Sequence, residues 1–324
     1  MLLKHIRIFF LLVLLGSFVA CNDEDQTPPD EIEVYLQELM DVMETHSVYR
    51  NEIDWTAFRE SVIDTARSTD PRFKKLNGIR QALTLLGDSH SYLIASNGQY
   101  IGGFNPLHCE SETNFFLPKP ENIGYVRVTG FSGAGNDEAS IAFAQAIQDE
   151  IAAQDSETLK GWIVDLRRNT GGNMYPMLAG IGPILGEGIA GYFINGDGST
   201  HSFSYVNGAA NFDGSPGTQI TNPYQLKTPH LKVAVLLDQE CGSSGEAIAA
   251  AFSGRENTRS FGKPTCGVST GIVGFELSDR SSLGLAISIM ADRNMQAFGS
   301  SIPPDEEVDP DKTLLRASEW IESE

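Results

Sequence analysis

A near-continuous apolar run, Leu231 to Leu237, interrupted only by Lys232, ends at Asp238-Gln239-Glu240-Cys241-Gly242-Ser243 and gives way to an Ala-rich stretch, Gly245 to Phe252. The run reads as a strand and the stretch after it as a helix, an order that belongs to an α/β fold. Ser243 stands at the turn between the two elements, where a hydroxyl is exposed above the end of a sheet. The helix N-terminus beside it supplies N–H donors and a dipole that favour an oxyanion. A serine in that place also serves as an ordinary N-cap, and this run alone does not choose between the two roles.

The rest of the chain fits the same class. From Glu31 to Gly87 the period is helical. Ile32, Leu36, Leu39 and Met43 form one stripe, and Trp55, Phe58, Val62 and Ala66 a second. Phe73, Leu76, Ile79, Leu83 and Leu86 form a third, with Gly87 placed to end it. Residues 31–90 are therefore expected to form a small helical bundle. Strands are expected at Tyr92 to Ala95, Ile123 to Val128 and Trp162 to Asp165, with a helix from Asp137 to Ala153 making a βαβ crossover. Ile272–Leu277 and Leu283–Met290 read as a late hairpin, and Leu314 and Trp320 mark a short terminal helix. The core spans 91–324, with a Gly/Ser/Asn/Thr-rich, cap-like insertion at about 186–229.

The first 21 residues read as a targeting segment. Lys4 and Arg7 precede the apolar run Ile8–Leu15, and Phe18-Val19-Ala20-Cys21 resembles a bacterial lipobox, with Cys21 acylated as the mature N-terminus. Residues 22–30, acidic and Pro-containing, read as a solvated linker. The expected place is the bacterial cell envelope, lipid-anchored to a membrane, and the outer membrane or cell surface in a Gram-negative cell. A formal net charge of −20 without a basic stripe argues against nucleic acid as a partner. Cys109, Cys241 and Cys266 remain, an odd number. Cys241 and Cys266 either pair or stay as buried thiols. The histidines are scattered without metal-ligand spacing, so no metal and no cofactor is called for.

Two further polar runs join Ser243. Asp165-Leu166-Arg167-Arg168-Asn169-Thr170-Gly171-Gly172-Asn173 ends a buried strand in a Gly-Gly turn, whose free N–H groups can face an anion. Leu86-Gly87-Asp88-Ser89-His90-Ser91 links the helices to the first core strand and puts His90 at the junction. In this order the runs resemble those of the tail-specific, or carboxyl-terminal processing, serine proteases. Ser243-Ser244-Gly245-Glu246, Thr265-Cys266-Gly267 and Ile302-Pro303-Pro304-Asp305 resemble that family's nucleophile motif and its later motifs.

The resemblance implies a crotonase/Clp-protease-like αββ sandwich, with Ser243 as nucleophile and Gly171, Gly172 and Ser244 forming the oxyanion hole. Many members pair the serine with a lysine, and Val268 occupies that position here; Lys263 precedes the Thr-Cys-Gly run and does not take the role. The chain resembles better the branch that includes the tricorn core and the nisin-resistance protease, which uses a histidine, and like the smaller members of that branch it is PDZ-less, with no room for that domain between Ser91 and Ile123. That implies His90 as general base, with Ser89 orienting it. That branch's further glutamate has no clear counterpart, Gln296 or Phe298 standing near its place. Glu246 is expected to support the site, or simply to favour the helix dipole. The reaction implied is peptide hydrolysis through an acyl-enzyme, with an acid limb near the ordinary histidine pKa of ~6.5. The alternative is a catalytically inactive lipoprotein that binds peptides or apolar ligands on the same fold.

Overall fold

The computed structural model describes residues 30–111, 121–133 and 135–323. The expected signal segment, Cys21 and nearly all of the linker lie outside the described residues.

Three helices open the described chain: α1 (Glu31–His46), α2 (Trp55–Arg67) and α3 (Lys74–Leu86). Asp30 caps α1 by accepting from Ile32 N, and Asp54 caps α2 by accepting from Thr56 N and Ala57 N. Gly87, at φ 74°, ends α3. Leu36, Leu39, Met40 and Met43 are fully covered, and they pack with Leu93, Leu283 and Leu285 of a sheet below. The helical segment is thus an outer layer of the core, because its apolar stripes have a sheet face to bury against.

That sheet is antiparallel. Its path runs β2 (Tyr100–Ile101), β1 (Tyr92–Ile94), β12 (Ser282–Asp292), β5 (Gly188–Asn195), β6 (Thr200–Val206), β7 (Ala209–Phe212) and β8 (Ser215–Gln219), with β11 (Thr270–Glu276) also paired to β12. The stretch read as a cap is a meander, β5 to β8, continuous with this sheet through the β5–β12 register Ile194↔Ile289. Its polar composition reflects strands with only one covered face.

The second sheet is parallel, in the order β13 (Glu306–Glu307), β10 (Thr258–Gly262), β9 (Lys232–Leu237), β4 (Gly161–Asp165) and β3 (Ile123–Arg127). Between the two sheets lie α4 (Glu138–Gln154), α5 (Met174–Leu185) and α6 (Ser244–Phe252). On its outer face lies α7 (Thr313–Glu322). Val233, Val235 and Leu237 face the inner helices while Ala234 and Leu236 face α7, which is why β9 lacks polar alternation. The result is five layers of mixed α/β. A disulfide joins Cys109 to Cys266, with Cα atoms 5.2 Å apart, and Cys241 is a buried free thiol. The expectation of Cys241 pairing with Cys266, or of both as free thiols, is corrected: the partner lies 157 residues away, a pairing that no local spacing discloses.

Candidate active site

The carboxyl end of β9 delivers Ser243. Asp238 holds the turn, its Oδ1 accepting from Glu240 N and Cys241 N at 3.1 Å, and from Arg168 N of the neighbouring β4 turn at 2.9 Å. The chain then passes through Ser243 at φ 53°, ψ −118°, a conformation that costs a non-glycine residue about 1–3 kcal/mol unless its surroundings impose it.

Those surroundings centre on Glu246, which is fully buried. Its carboxylate accepts from Ser243 N (2.8 Å), Thr265 Oγ1 (2.6 Å), Gly267 N (2.9 Å) and Val268 N (3.0 Å). Burial pushes this carboxyl above its ordinary value, while the four donors pull the other way by favouring the anion. Of the two roles considered for Glu246, a structural anchor for the serine turn describes the bonding better than a dipole-favouring surface carboxylate. Thr265 also accepts from Ile302 N at 2.8 Å, which ties in the Ile-Pro-Pro-Asp run.

The β4 turn meets the serine from the side. A Cβ on Gly171 would stand 2.8 Å from Ser243 Cβ and 2.9 Å from Ser244 N, and φ there is +95°, so only glycine fits. The turn separates the two glycines chemically. Gly171 N already donates to Asn169 Oδ1 at 3.0 Å, which removes it from the expected oxyanion donors. Among the described residues Gly172 N and Ser244 N have no acceptor, and Ser244 Oγ donates to Gly172 O, pinning the two strands of the hole together. The oxyanion pair offered by the geometry is Gly172 with Ser244. Below them, Asp165 and Arg167 form a buried two-bond ion pair, joined by the Tyr125 hydroxyl at 2.6 Å. That pair fixes the turn and does not reach the cleft.

A cavity of about 420 Å³ opens beside Ser243, Ser244 and Gly172. Its walls are largely apolar, with Tyr175, Phe193, Phe212 and Met290 among them, and Thr270 of β11 closes one side.

His90 reaches the site from the other sheet. Asp88 Oδ1 accepts from His90 N at 2.8 Å and from Ser91 N at 2.6 Å, and this turn feeds β1 alongside β12. His90 Nδ1 lies 2.7 Å from Thr270 Oγ1. With Nδ1 engaged, Nε2 is the ring nitrogen left for chemistry. Burial pushes the imidazole down from 6.5 to about 4, against the opposing charge of Asp88. The expectation of an ordinary histidine value for this ring is therefore corrected downward. Among the described residues no hydrogen bond links Ser243 to His90; they meet through Thr270, which bonds the ring and shares the cavity with the serine.

Ser89 lies exposed at φ 51° and the ring's side-chain partner is Thr270, so the expected orienting role of Ser89 is corrected. Thr270 was not singled out by sequence, because its partner is 180 residues away. Val268 packs against the serine turn where a lysine was sought, and Lys263 is engaged by Glu307 and Asp309. Gln296 is exposed, and Phe298 packs against the core.

Residues 122–308 match the family model described as peptidase family S41. Over 297 residues the chain is 23% identical to the nisin-resistance protein of Lactococcus lactis subsp. lactis, covering 91% of this chain and 89% of that protein. Among solved structures, a lipoprotein from Streptococcus agalactiae superposes with a TM-score of 0.67 at 22% identity, over 91% of this chain and 97% of that one. The photosystem II D1 C-terminal processing protease superposes with a TM-score of 0.53 at 14% identity, over 87% of this chain and 94% of that one. Both structural likenesses concern the fold.

Proposed function

The chain belongs to peptidase family S41, and from that premise we propose a serine endopeptidase with Ser243 as nucleophile and His90 as general base. Ser243 Oγ attacks the scissile carbonyl carbon as His90 Nε2 takes its proton. The N–H groups of Gly172 and Ser244 hold the oxyanion, where losing one donor typically costs ~2.7–4 kcal/mol of transition-state stabilisation. The tetrahedral intermediate collapses, the C–N bond breaks, and His90 returns the proton to the leaving amine. Water, deprotonated by the same ring, then releases the acyl group.

The observation that carries this reading is the backbone of Ser243. A serine needs no φ of 53° to cap a helix, and a buried four-donor carboxylate holds it there at the mouth of a cavity. Ser243 and Glu246 also form a capping box at the start of α6, but a cap alone does not require this strained backbone, which fits a nucleophile. Ser243→Ala is expected to abolish peptide hydrolysis while the melting temperature stays near that of the parent. Undiminished turnover by that variant would remove Ser243 from the mechanism, and a parent protein that hydrolyses no peptide would favour the binding reading.

The proposal extends to place. Lys4, Arg7, the apolar run to Leu15 and Cys21 support export and lipid anchoring at Cys21 in a bacterial cell envelope. Metabolic labelling with a fatty-acid analogue should mark the parent, and Cys21→Ser should lose the label and leave the membrane fraction.

A further inference from the structure

A second cavity, about 380 Å³, lies against the chain segment that carries His90. Ser89 and Ser91, the residues flanking the histidine, line it together with Leu107, Cys109, Cys266 and Val268. It abuts the serine turn from behind. A Cβ on Gly242 would stand 3.2 Å from Cys266 Cβ and 3.4 Å from Val268 Cγ2, and both of those residues are cavity wall. The Cys109–Cys266 disulfide holds the wall in place. Thr270, the partner of the imidazole, lines the first cavity with Ser243 and the oxyanion donors, and the histidine's two chain neighbours line the second.

The order of events in acyl transfer assigns the two spaces. The acyl half of the substrate must lie where Gly172 and Ser244 can reach its carbonyl oxygen, which is the first cavity. The leaving amine must lie where His90 can protonate it, and it departs past the ring. We propose that the second cavity is the leaving-group subsite, receiving the residue that follows the scissile bond, and that it selects an uncharged side chain there. This rests on the serine-peptidase reading above.

The selection follows from what lines the space. None of its lining side chains among the described residues is charged. Leu83, Thr84 and Gly87 bring the carboxyl end of α3 to it, and that end of a helix carries partial negative charge. Asp88, the buried chain neighbour of the lining residues Gly87 and Ser89, adds a carboxylate nearby in the chain. A carboxylate entering this cavity, whether an aspartate or glutamate side chain or a free chain terminus, meets that negative end without a cation among the described lining residues to offset it. Substrates should therefore continue beyond the cleaved bond, and single carboxyl-terminal residues should not be clipped.

A random peptide library digested by the full-length protein and read by mass spectrometry tests the selection. Asp and Glu should be depleted at least about tenfold immediately after the cleaved bond, with no cuts that release one terminal residue. Acidic residues there at library frequency would overturn the proposal. Leu107→Trp tests the location. Filling the cavity should lower peptide kcat/KM by at least about tenfold. The rate of Ser243 labelling by a fluorophosphonate should hold, because fluoride needs no subsite. Unchanged peptide turnover, or labelling slowed in proportion, would overturn it. If the parent neither labels nor cleaves, the serine-peptidase reading fails first and takes this proposal with it, a pattern distinct from the others.

Discussion

The two halves of the candidate site are held in different ways. The serine half is fixed many times over. Glu246 gathers Ser243, Thr265, Gly267 and Val268, Asp238 gathers two turns, and Gly171 leaves no room beside the nucleophile. The histidine half, seated on the other sheet, is held by the Asp88 turn and by one side-chain bond from Thr270. Turns that converge at the edge of one parallel sheet fix the serine with several bonds at once. What must come from another layer depends on single long-range contacts. The serine half should therefore break abruptly and the histidine half by degrees.

The largest effect is expected from Glu246→Ala. It strands three backbone N–H groups and a hydroxyl in a buried place, each worth roughly 1–3 kcal/mol. Stability should fall by at least about 3 kcal/mol in denaturant titration, with hydrolysis lost entirely. A variant that kept both would show the serine half to be as loosely held as the other. His90→Ala comes next. Removing a general base should lower kcat about 10²–10⁴-fold with the fold intact by circular dichroism. The smallest effect belongs to Thr270→Val, which deletes one hydrogen bond at nearly constant shape. A loss of about tenfold in kcat is expected, with Thr270→Ser restoring most of it. If Thr270→Val matched His90→Ala in severity, the contrast between the halves would sharpen into a strict dependence of the base on that one hydroxyl.

The same division explains what could be read from the amino acids. Leu231–Leu237 disclosed a strand, and the strand, turn and helix around Ser243 followed from neighbours in the chain. Thr258–Gly262 was not foreseen as a strand, since its Arg and Ser positions disguise a strand whose buried residues, Phe261 and Gly262, sit at its end. Glu246 was legible as a first-turn carboxylate. Its reach to Thr265, Gly267 and Val268 was not, because those donors arrive from the far end of β10. Thr270 and the Cys109–Cys266 bridge belong to the same class. Each joins residues that carry no mutual pattern until the sheets are assembled.

The most direct test of the account is the pH dependence of fluorophosphonate attachment, located at Ser243 by mass spectrometry of the digested protein. Attack requires neutral His90, and burial lowers its pKa to about 4, so the neutral ring is complete at pH 7 and is lost only as pH falls through that value. Labelling at Ser243 should stay level through the ordinary histidine range of ~6.5 and fall with a midpoint near 4. Absence of label at Ser243, or a midpoint at the ordinary histidine value, would contradict a serine activated by a partly buried His90.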